Sequence, residues 1–175
     1  MQEQNASSGN SYYLLKYLVA SASFFFVGTI HGVLQVISPI RAWLDSIGSP
    51  YGGPGHMIDP LAHAHINVVG GVVLLCMATT YYLFQAISGK RLYSKRMANQ
   101  SFWWTTLGVM GFYSTLLIFG IWEGNLMLQG NLDELDAVHK LYGPIIGTVS
   151  TALGIGFWIF FANVYLTARK IYKKQ

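Results

Sequence analysis

The sequence has few charged residues and a single cysteine. Only 10% of its 175 residues are charged, whereas 53% are hydrophobic, and in soluble domains about a quarter of the residues are charged. The composition excludes an ordinary soluble domain and indicates an integral membrane protein, with the lipid bilayer as its surroundings. Because Cys76 is the single cysteine, a disulfide framework and a cysteine-based metal site are both excluded. The formal charge of +4 is interpreted as a topology signal, and no nucleic-acid partner is predicted.

Four runs without Asp, Glu, Lys or Arg are each long enough to cross a bilayer, which takes about 20 helical residues. They cover residues 17–38, 60–88, 102–122 and 141–166. The polar residues 1–11 are predicted to form a disordered arm, and residues 12–175 a single transmembrane domain. The predicted fold class is therefore all-α, a membrane bundle of four helices.

The basic residues predict the orientation of this bundle. Eight of the eleven lie in the loop between the second and third spans and after the fourth span, and Lys16 flanks the first span. Only Arg41 and Lys140 remain for the other two loops. The positive-inside rule therefore predicts that both termini are cytoplasmic, in a bacterial-type inner membrane.

The five histidines are predicted to lie in the outer half of the membrane. They are His31 in the first span, His56 in the outer loop, His63 and His65 at the start of the second span, and His139 at the start of the fourth. The second span is predicted to begin at Pro60, with Asp59 as its cap. A buried imidazole is costly unless it is paired or ligating. His31, His63 and His65 are therefore candidate metal ligands, whereas interfacial hydrogen bonds account more simply for His56 and His139, the weaker candidates.

Helix geometry restricts what His63 and His65 can bind. Residues two apart are separated by about 200° around a helix axis, so the two rings point to nearly opposite faces. A compact zinc site needs ligands on one face, at spacings such as i and i+4. Opposite faces instead suit planar cofactors, and haem is the planar cofactor that takes an axial imidazole.

The stretch from Asp59 to Asn67, Asp-Pro-Leu-Ala-His-Ala-His-Ile-Asn, is followed by Gly70-Gly71 and Tyr81-Tyr82-Leu83. It resembles the helix of haem–copper oxidases that carries a His-x-His pair, in particular that of C-type oxidases and nitric oxide reductases. The similarity continues through residues 102–108, 121–124 and 138–142, and covers only the C-terminal third of the family's catalytic subunit. The resemblance implies that His63 is the proximal ligand of a high-spin haem and that His65 is an axial ligand of a low-spin haem. The chain has no His-His pair, so copper is expected less than haem.

The second axial ligand has three candidate sources: His31, a second copy of the chain, or another subunit. His31 is favoured because of its depth and because the small Gly32 beside it lets a ring approach. Asn67 is predicted to bond either a haem propionate or a neighbouring carbonyl group. Arg41 and Lys140, the basic residues on the outer side, are the predicted propionate partners.

Two further features have structural interpretations. Glycines in the spans are predicted to be close-packing points between helices rather than cofactor contacts. They are Gly70, Gly71, Gly108, Gly111, Gly143, Gly147, Gly154 and Gly156. Glu123 is interpreted as an interfacial charge, with a proton- or cation-binding role as the alternative.

The leading hypothesis is a membrane subunit that binds one or two haem b groups. It would carry electrons in a respiratory system like the haem–copper oxidases or nitric oxide reductases, with cytochrome c or quinol as donor, in a homo-oligomer or a larger complex. One alternative is an oxidoreductase whose haem has an open side for oxygen or nitric oxide. Another is a protein that handles or senses haem or copper, with Met57 and Met77 as soft ligands.

Overall fold

The computed structural model describes residues 12–172, so the arm predicted at residues 1–11 lies outside the described residues. The described chain is helical, without strands. Four of its helices are long and apolar enough to cross a membrane: α1 (Leu15–Leu34), α3 (Gly53–Ser88), α4 (Lys95–Gln129) and α5 (Leu132–Tyr172). A short helix, α2 (Ser38–Ser46), lies between α1 and α3. The prediction of an all-α protein with four membrane-spanning helices is confirmed.

The helices differ in length from the predicted spans. Helix α1 ends at Leu34, whereas α4 and α5 continue into polar sequence on both sides of their apolar runs. At the start of α4, the Ser94 hydroxyl accepts a hydrogen bond from the Met97 N–H, and Gly130 follows the helix with a φ of 71°. A serine N-cap and a left-handed glycine are the usual helix boundaries. Hydropathy detects the apolar run, whereas the caps set where the helix begins and ends.

Helix α3 is irregular around the His-x-His pair. The segments Met57–Ala62 and Ile66–Val73 are wound more loosely, as π-helix. Inside the first of these segments, Asp59 has non-helical angles, φ −132° and ψ 112°. Two helical runs therefore meet at a kink at Asp59, and the second run begins at Pro60, as the sequence predicts. π-Helical turns inside α-helices are frequent at functional sites.

Close contact between α4 and α5 depends on small residues. A Cβ atom at Gly108 would lie 2.7 Å from the Leu153 Cα atom, so the two backbones nearly touch. Of the eight glycines predicted to be packing points, five meet neighbouring side chains or backbone in this way: Gly70, Gly71, Gly108, Gly111 and Gly156. The prediction is wrong for Gly143, Gly147 and Gly154, because no atom lies within 4 Å of a Cβ atom added at these positions.

A buried polar network fixes the helix ends opposite the histidine pair. The Tyr17 hydroxyl lies 2.8 Å from the Ser101 hydroxyl, joining α1 to α4. The Asn163 amide on α5 donates to the Ser94 carbonyl at 3.0 Å and accepts from the Ser94 N–H at 3.1 Å. These bonds hold α1, α4 and α5 together at one end of the bundle, and the histidines lie toward the other end.

Candidate cofactor site

His63 and His65 point to different neighbours, as the helix geometry predicts. His63 faces α1, where a Cβ atom at Gly32 would lie 2.8 Å from the His63 Cε1 atom. His65 faces α4, and its ring stacks on Phe112 with a centroid distance of 4.4 Å and an interplanar angle of 27°. The two imidazoles therefore lie in separate environments on either side of α3.

His31 lies against His63. The two rings meet edge to face, with centroids 5.4 Å apart and planes at 89°. The His31 ring is buried, and its Nδ1 atom lies 3.2 Å from the Tyr113 hydroxyl. A haem with two imidazole ligands has its porphyrin between the two rings, and this direct contact leaves no room for one. The arrangement therefore disfavours a haem held between His31 and His63.

The nitrogens of His63 lack strong partners. Its Nδ1 atom is buried without a hydrogen-bond partner, and its Nε2 atom lies 3.5 Å from the Asn67 Nδ2 atom, at the outer limit for a hydrogen bond. A buried polar atom without a partner is costly. His63 therefore has ring nitrogens that a ligand could satisfy.

His65 has the hydrogen bonding that is typical of a metal ligand. Its Nδ1–H donates to the Leu61 carbonyl oxygen at 2.8 Å. This bond fixes the proton on Nδ1 and leaves the Nε2 lone pair for a ligand, as in metal-bound histidines whose other nitrogen donates to a carbonyl group. The stack on Phe112 further limits rotation of the ring. His65 thus has a ring nitrogen that would fit a metal such as haem iron.

Asn67 bonds within its own helix. Its Nδ2 atom donates to the His63 carbonyl oxygen at 2.9 Å, and its side chain lies against Gly28 of α1. Of the two predicted alternatives, propionate or carbonyl group, the structure contains the carbonyl bond. Asn67 therefore joins α1 to α3 directly beside His63.

Arg41 and Lys140, the predicted propionate partners, are both paired with carboxylates. The Arg41 guanidinium bonds Asp59 at 2.6 Å and Asp45 at 2.7 Å. The hydrogen bond that Arg41 donates to the Asp59 carboxylate, followed by the one it donates to Asp45, raises the pKa of Arg41 above its ordinary value. Lys140 lies 2.6 Å from Asp136 on the exposed start of α5. A propionate at either cation would compete with these carboxylates.

The remaining histidines make hydrogen bonds away from His63 and His65. The His56 Nδ1–H donates to the Pro50 carbonyl oxygen at 2.5 Å. The His139 Nδ1–H lies 3.1 Å from both carboxylate oxygens of Glu123. Glu123 is only 2% exposed, so its interpretation as an interfacial charge is wrong, because α2 and α5 cover this part of α4. Its alternative role in proton or cation binding stays a prediction.

Among residues 12–172, no three His, Cys, Asp or Glu side chains are grouped so that they could hold a metal ion. The lone Cys76 is exposed on the surface of α3, where a membrane protein meets lipid. Haem iron, in contrast, takes only one or two ligands from the protein. The donor set around α3 is suited to such a cofactor.

Sequence reasoning misses two residues of the site, Phe112 and Tyr113. They are adjacent on α4, and each contacts a different histidine: Phe112 stacks on His65, and Tyr113 bonds His31. No spacing in the sequence relates α4 to the histidines of α1 and α3. The available signal is weak, namely two consecutive aromatic residues in the middle of the third span.

A family model described as "Cytochrome C and Quinol oxidase polypeptide I" matches residues 60–143, which include the His-x-His pair, Phe112 and His139. Over these residues the chain is similar to oxidase polypeptide I. The cbb3-type cytochrome c oxidase subunit CcoN1 of Stutzerimonas stutzeri is 24% identical over 160 residues, which are 89% of this chain and 31% of that protein. The bacteroid cytochrome c oxidase subunit 1 homolog of Bradyrhizobium diazoefficiens is 26% identical over 168 residues, covering 89% and 28% of the two chains.

A third polypeptide I relative, cytochrome c oxidase subunit 1 of Corynebacterium glutamicum, is 32% identical over 119 residues, covering 65% of this chain and 20% of its own length. The chain thus spans less than a third of the length of these three relatives. The polypeptide I relationship and the four helices make it a multi-pass, respiratory oxidase-like membrane protein.

Proposed function

We propose that this polypeptide I relative binds haem b and carries electrons near the outer membrane surface in a respiratory complex. The observation that carries the proposal is the hydrogen bonding of His65: its Nδ1–H donates to the Leu61 carbonyl oxygen at 2.8 Å, which leaves Nε2 as a ligand atom. Haem supplies reversible one-electron chemistry when it is bound. The chain supplies the axial imidazole and a setting that tunes the potential through burial and hydrogen bonding.

Each residue of the site has a separate role in this proposal. His65 would hold the haem iron, the Leu61 carbonyl group would raise the basicity of its ring, and Phe112 would keep the ring in place. His63, with its unpaired Nδ1 atom, is the second candidate ligand and allows for a second haem. His31 lies in contact with His63, so a second axial ligand for the His65 haem would come from another copy of the chain or another subunit. The electron donor would be cytochrome c or a quinol.

The test is a reduced-minus-oxidised spectrum of the protein purified in mild detergent, together with the haem content per chain. We expect sharp low-spin bands that carbon monoxide does not change. His65→Ala should remove these bands. The matched variant His56→Ala should retain them, because the His56 ring is hydrogen-bonded to the Pro50 carbonyl group and lies away from His65. A full complement of low-spin haem in His65→Ala would refute the proposal. A shift with carbon monoxide would instead indicate the open-site oxidoreductase.

A further inference from the structure

A cavity of about 280 Å³ lies between α1, α2 and α4, and Ile58 of α3 also lines it. Its walls are mainly aliphatic and aromatic, and they include Ile30, Leu34, Trp43 and Ile121. Ile30, Leu34 and Ile121 are each more than 40% exposed on the chain surface. Because these residues belong to membrane-spanning helices, the mouth of the cavity faces lipid. A ligand would therefore enter it sideways from the bilayer.

Three polar side chains line the same cavity: His31, Gln35 and Tyr113. The Tyr113 hydroxyl lies 3.2 Å from the His31 Nδ1 atom. Gln35 lies one helical turn beyond His31, and its Oε1 atom is buried without a hydrogen-bond partner. Polar groups that are buried in an apolar wall normally have partners. The cavity thus combines apolar walls with an amide, a phenol and an imidazole that can bind oxygen atoms of a ligand.

We propose that this cavity binds the ring of a membrane-soluble hydroquinone or quinone. Such a ring has apolar faces that match Trp43 and the aliphatic walls. A hydroquinone O–H can donate to the Gln35 Oε1 atom, whereas a quinone carbonyl oxygen can accept from the Gln35 amide N–H. The other ring oxygen can pair with the His31–Tyr113 pair. Its isoprenoid or alkyl tail would leave through the lipid-facing mouth. A phospholipid acyl chain would fill the walls but leave the polar side chains without partners. The volume of about 280 Å³ is just below the range for small-molecule pockets, about 300–1,000 Å³, which suits a single ring.

The cavity lies next to the proposed haem ligands. His31, which lines it, is in ring contact with His63 at a centroid distance of 5.4 Å. A bound ring would thus be one side chain away from His63. As an electron-donor site the cavity rests on the proposed function, because the electrons need the haem as acceptor. Binding of the ring itself requires only the residues that line the cavity, whether or not haem is bound.

The experiment is a titration of the full chain, in detergent, with decylubiquinone, followed by quenching of tryptophan fluorescence. We expect saturable quenching, most of which disappears in Trp43→Phe. Gln35→Leu should weaken binding about three- to tenfold, as expected for one lost hydrogen bond. The matched variant Gln129→Leu, at the exposed end of α4, should bind as the original chain does. Ile30→Trp, which fills the mouth and leaves the polar side chains in place, should abolish binding.

A second ligand decides between a quinone site and a lipid groove. Decylbenzene has the same tail but no oxygen atoms, and we expect it to compete poorly. Equal binding of decylbenzene, an unchanged affinity of Gln35→Leu, or no saturable quenching would each overturn the inference. Haem content measured on the same samples separates the two proposals. Quinone binding without haem would contradict the proposed function alone, and haem without quinone binding would contradict the cavity assignment alone.

Discussion

At the scale of single residues, the pair of Glu123 and His139 makes the most direct prediction about stability. The Glu123 side chain is 3% exposed, and its carboxylate oxygens lie 3.1 Å from the His139 Nδ1 atom, while the His139 ring is 57% exposed. Removing the histidine leaves a buried carboxylate without this partner, which costs more than removing both groups. We expect His139→Ala to lower the free energy of unfolding by about 1–3 kcal/mol. Replacing Glu123 with Leu in the same chain should restore part of that loss.

The measurement is the apparent melting temperature in detergent micelles of the original chain, the two single variants and the double variant. The difference between them gives the coupling between the two residues. His56→Ala is a suitable control, because it removes a histidine hydrogen-bonded to a backbone carbonyl group rather than to a buried charge. A double variant that is no more stable than His139→Ala would show that the carboxylate does not need the imidazole.

The same residues show what the sequence can and cannot predict about a site. The opposite directions of His63 and His65 follow from the helical repeat alone, and the structure confirms them through Gly32 and Phe112. The contact between His31 and His63 requires the packing of α1 on α3, which spacing along the chain does not give. The burial of Glu123 likewise depends on the neighbouring helices. Hydropathy along one span does not include those helices, and it therefore led to the interpretation of Glu123 as an interfacial charge.

At the scale of helices, an ion pair connects α2 to α3. Arg41 on α2 bonds Asp59 at the break in α3 at 2.6 Å, and the side chain of Asp59 is only 13% exposed. We expect Arg41→Ala to lower the free energy of unfolding by about 1–3 kcal/mol, since it removes a charged hydrogen bond from a largely buried carboxylate. Lys140→Ala removes an exposed i, i+4 pair and should change stability by at most about 1 kcal/mol.

Melting temperatures of the two variants in the same detergent test this difference. Hydrogen exchange of residues 53–62 adds a local readout, because loss of the Arg41 contact should increase exchange around the break. Equal effects of Arg41→Ala and Lys140→Ala would contradict the view that the pair joins the two helices.

Glycine replacement provides a second prediction at this scale. Gly108→Ala would place a Cβ atom 2.7 Å from the Leu153 Cα atom, so α4 and α5 would have to separate. We expect a clear loss of stability, by about 1–3 kcal/mol, as for overpacked cores. The matched variant Gly154→Ala adds its methyl group to open space on α5 and should be neutral or stabilising by up to about 1 kcal/mol, because alanine favours helix. Similar melting temperatures for the two variants would refute this account of the α4–α5 contact.

Helix number was predictable from the sequence, whereas helix length and regularity were not. Charge-free runs reveal the four membrane-spanning helices because a bilayer excludes Asp, Glu, Lys and Arg. The ends of α4 depend instead on Ser94 and Gly130, whose capping bonds involve polar residues outside the apolar run. The π-helical winding of α3 on both sides of His63–His65 has no counterpart in the residue pattern, since it alters the backbone and not the hydropathy.

At the scale of the whole molecule, the distribution of basic residues predicts that both termini are cytoplasmic. The connection between α3 and α4 contains Tyr93, which is 52% exposed, and the start of α5 at the opposite end contains Leu132, which is 68% exposed. Lys90, Arg91, Lys95 and Arg96 flank the first of these positions, whereas acidic residues follow the second. The positive-inside rule therefore places Tyr93 on the cytoplasmic side and Leu132 on the outer side.

Cysteine labelling tests this orientation, because Cys76 is the chain's single native thiol and Cys76→Ser removes it. In that background, Leu132→Cys should react with a membrane-impermeant maleimide in intact spheroplasts, and Tyr93→Cys should react only after lysis. Both substitutions are at exposed uncharged positions, so they leave the basic residues that set the topology unchanged. The reverse pattern would place the His63–His65 end of the bundle on the cytoplasmic side. It would then exclude an outer-face electron donor such as a periplasmic cytochrome, without affecting the ligand geometry of His65.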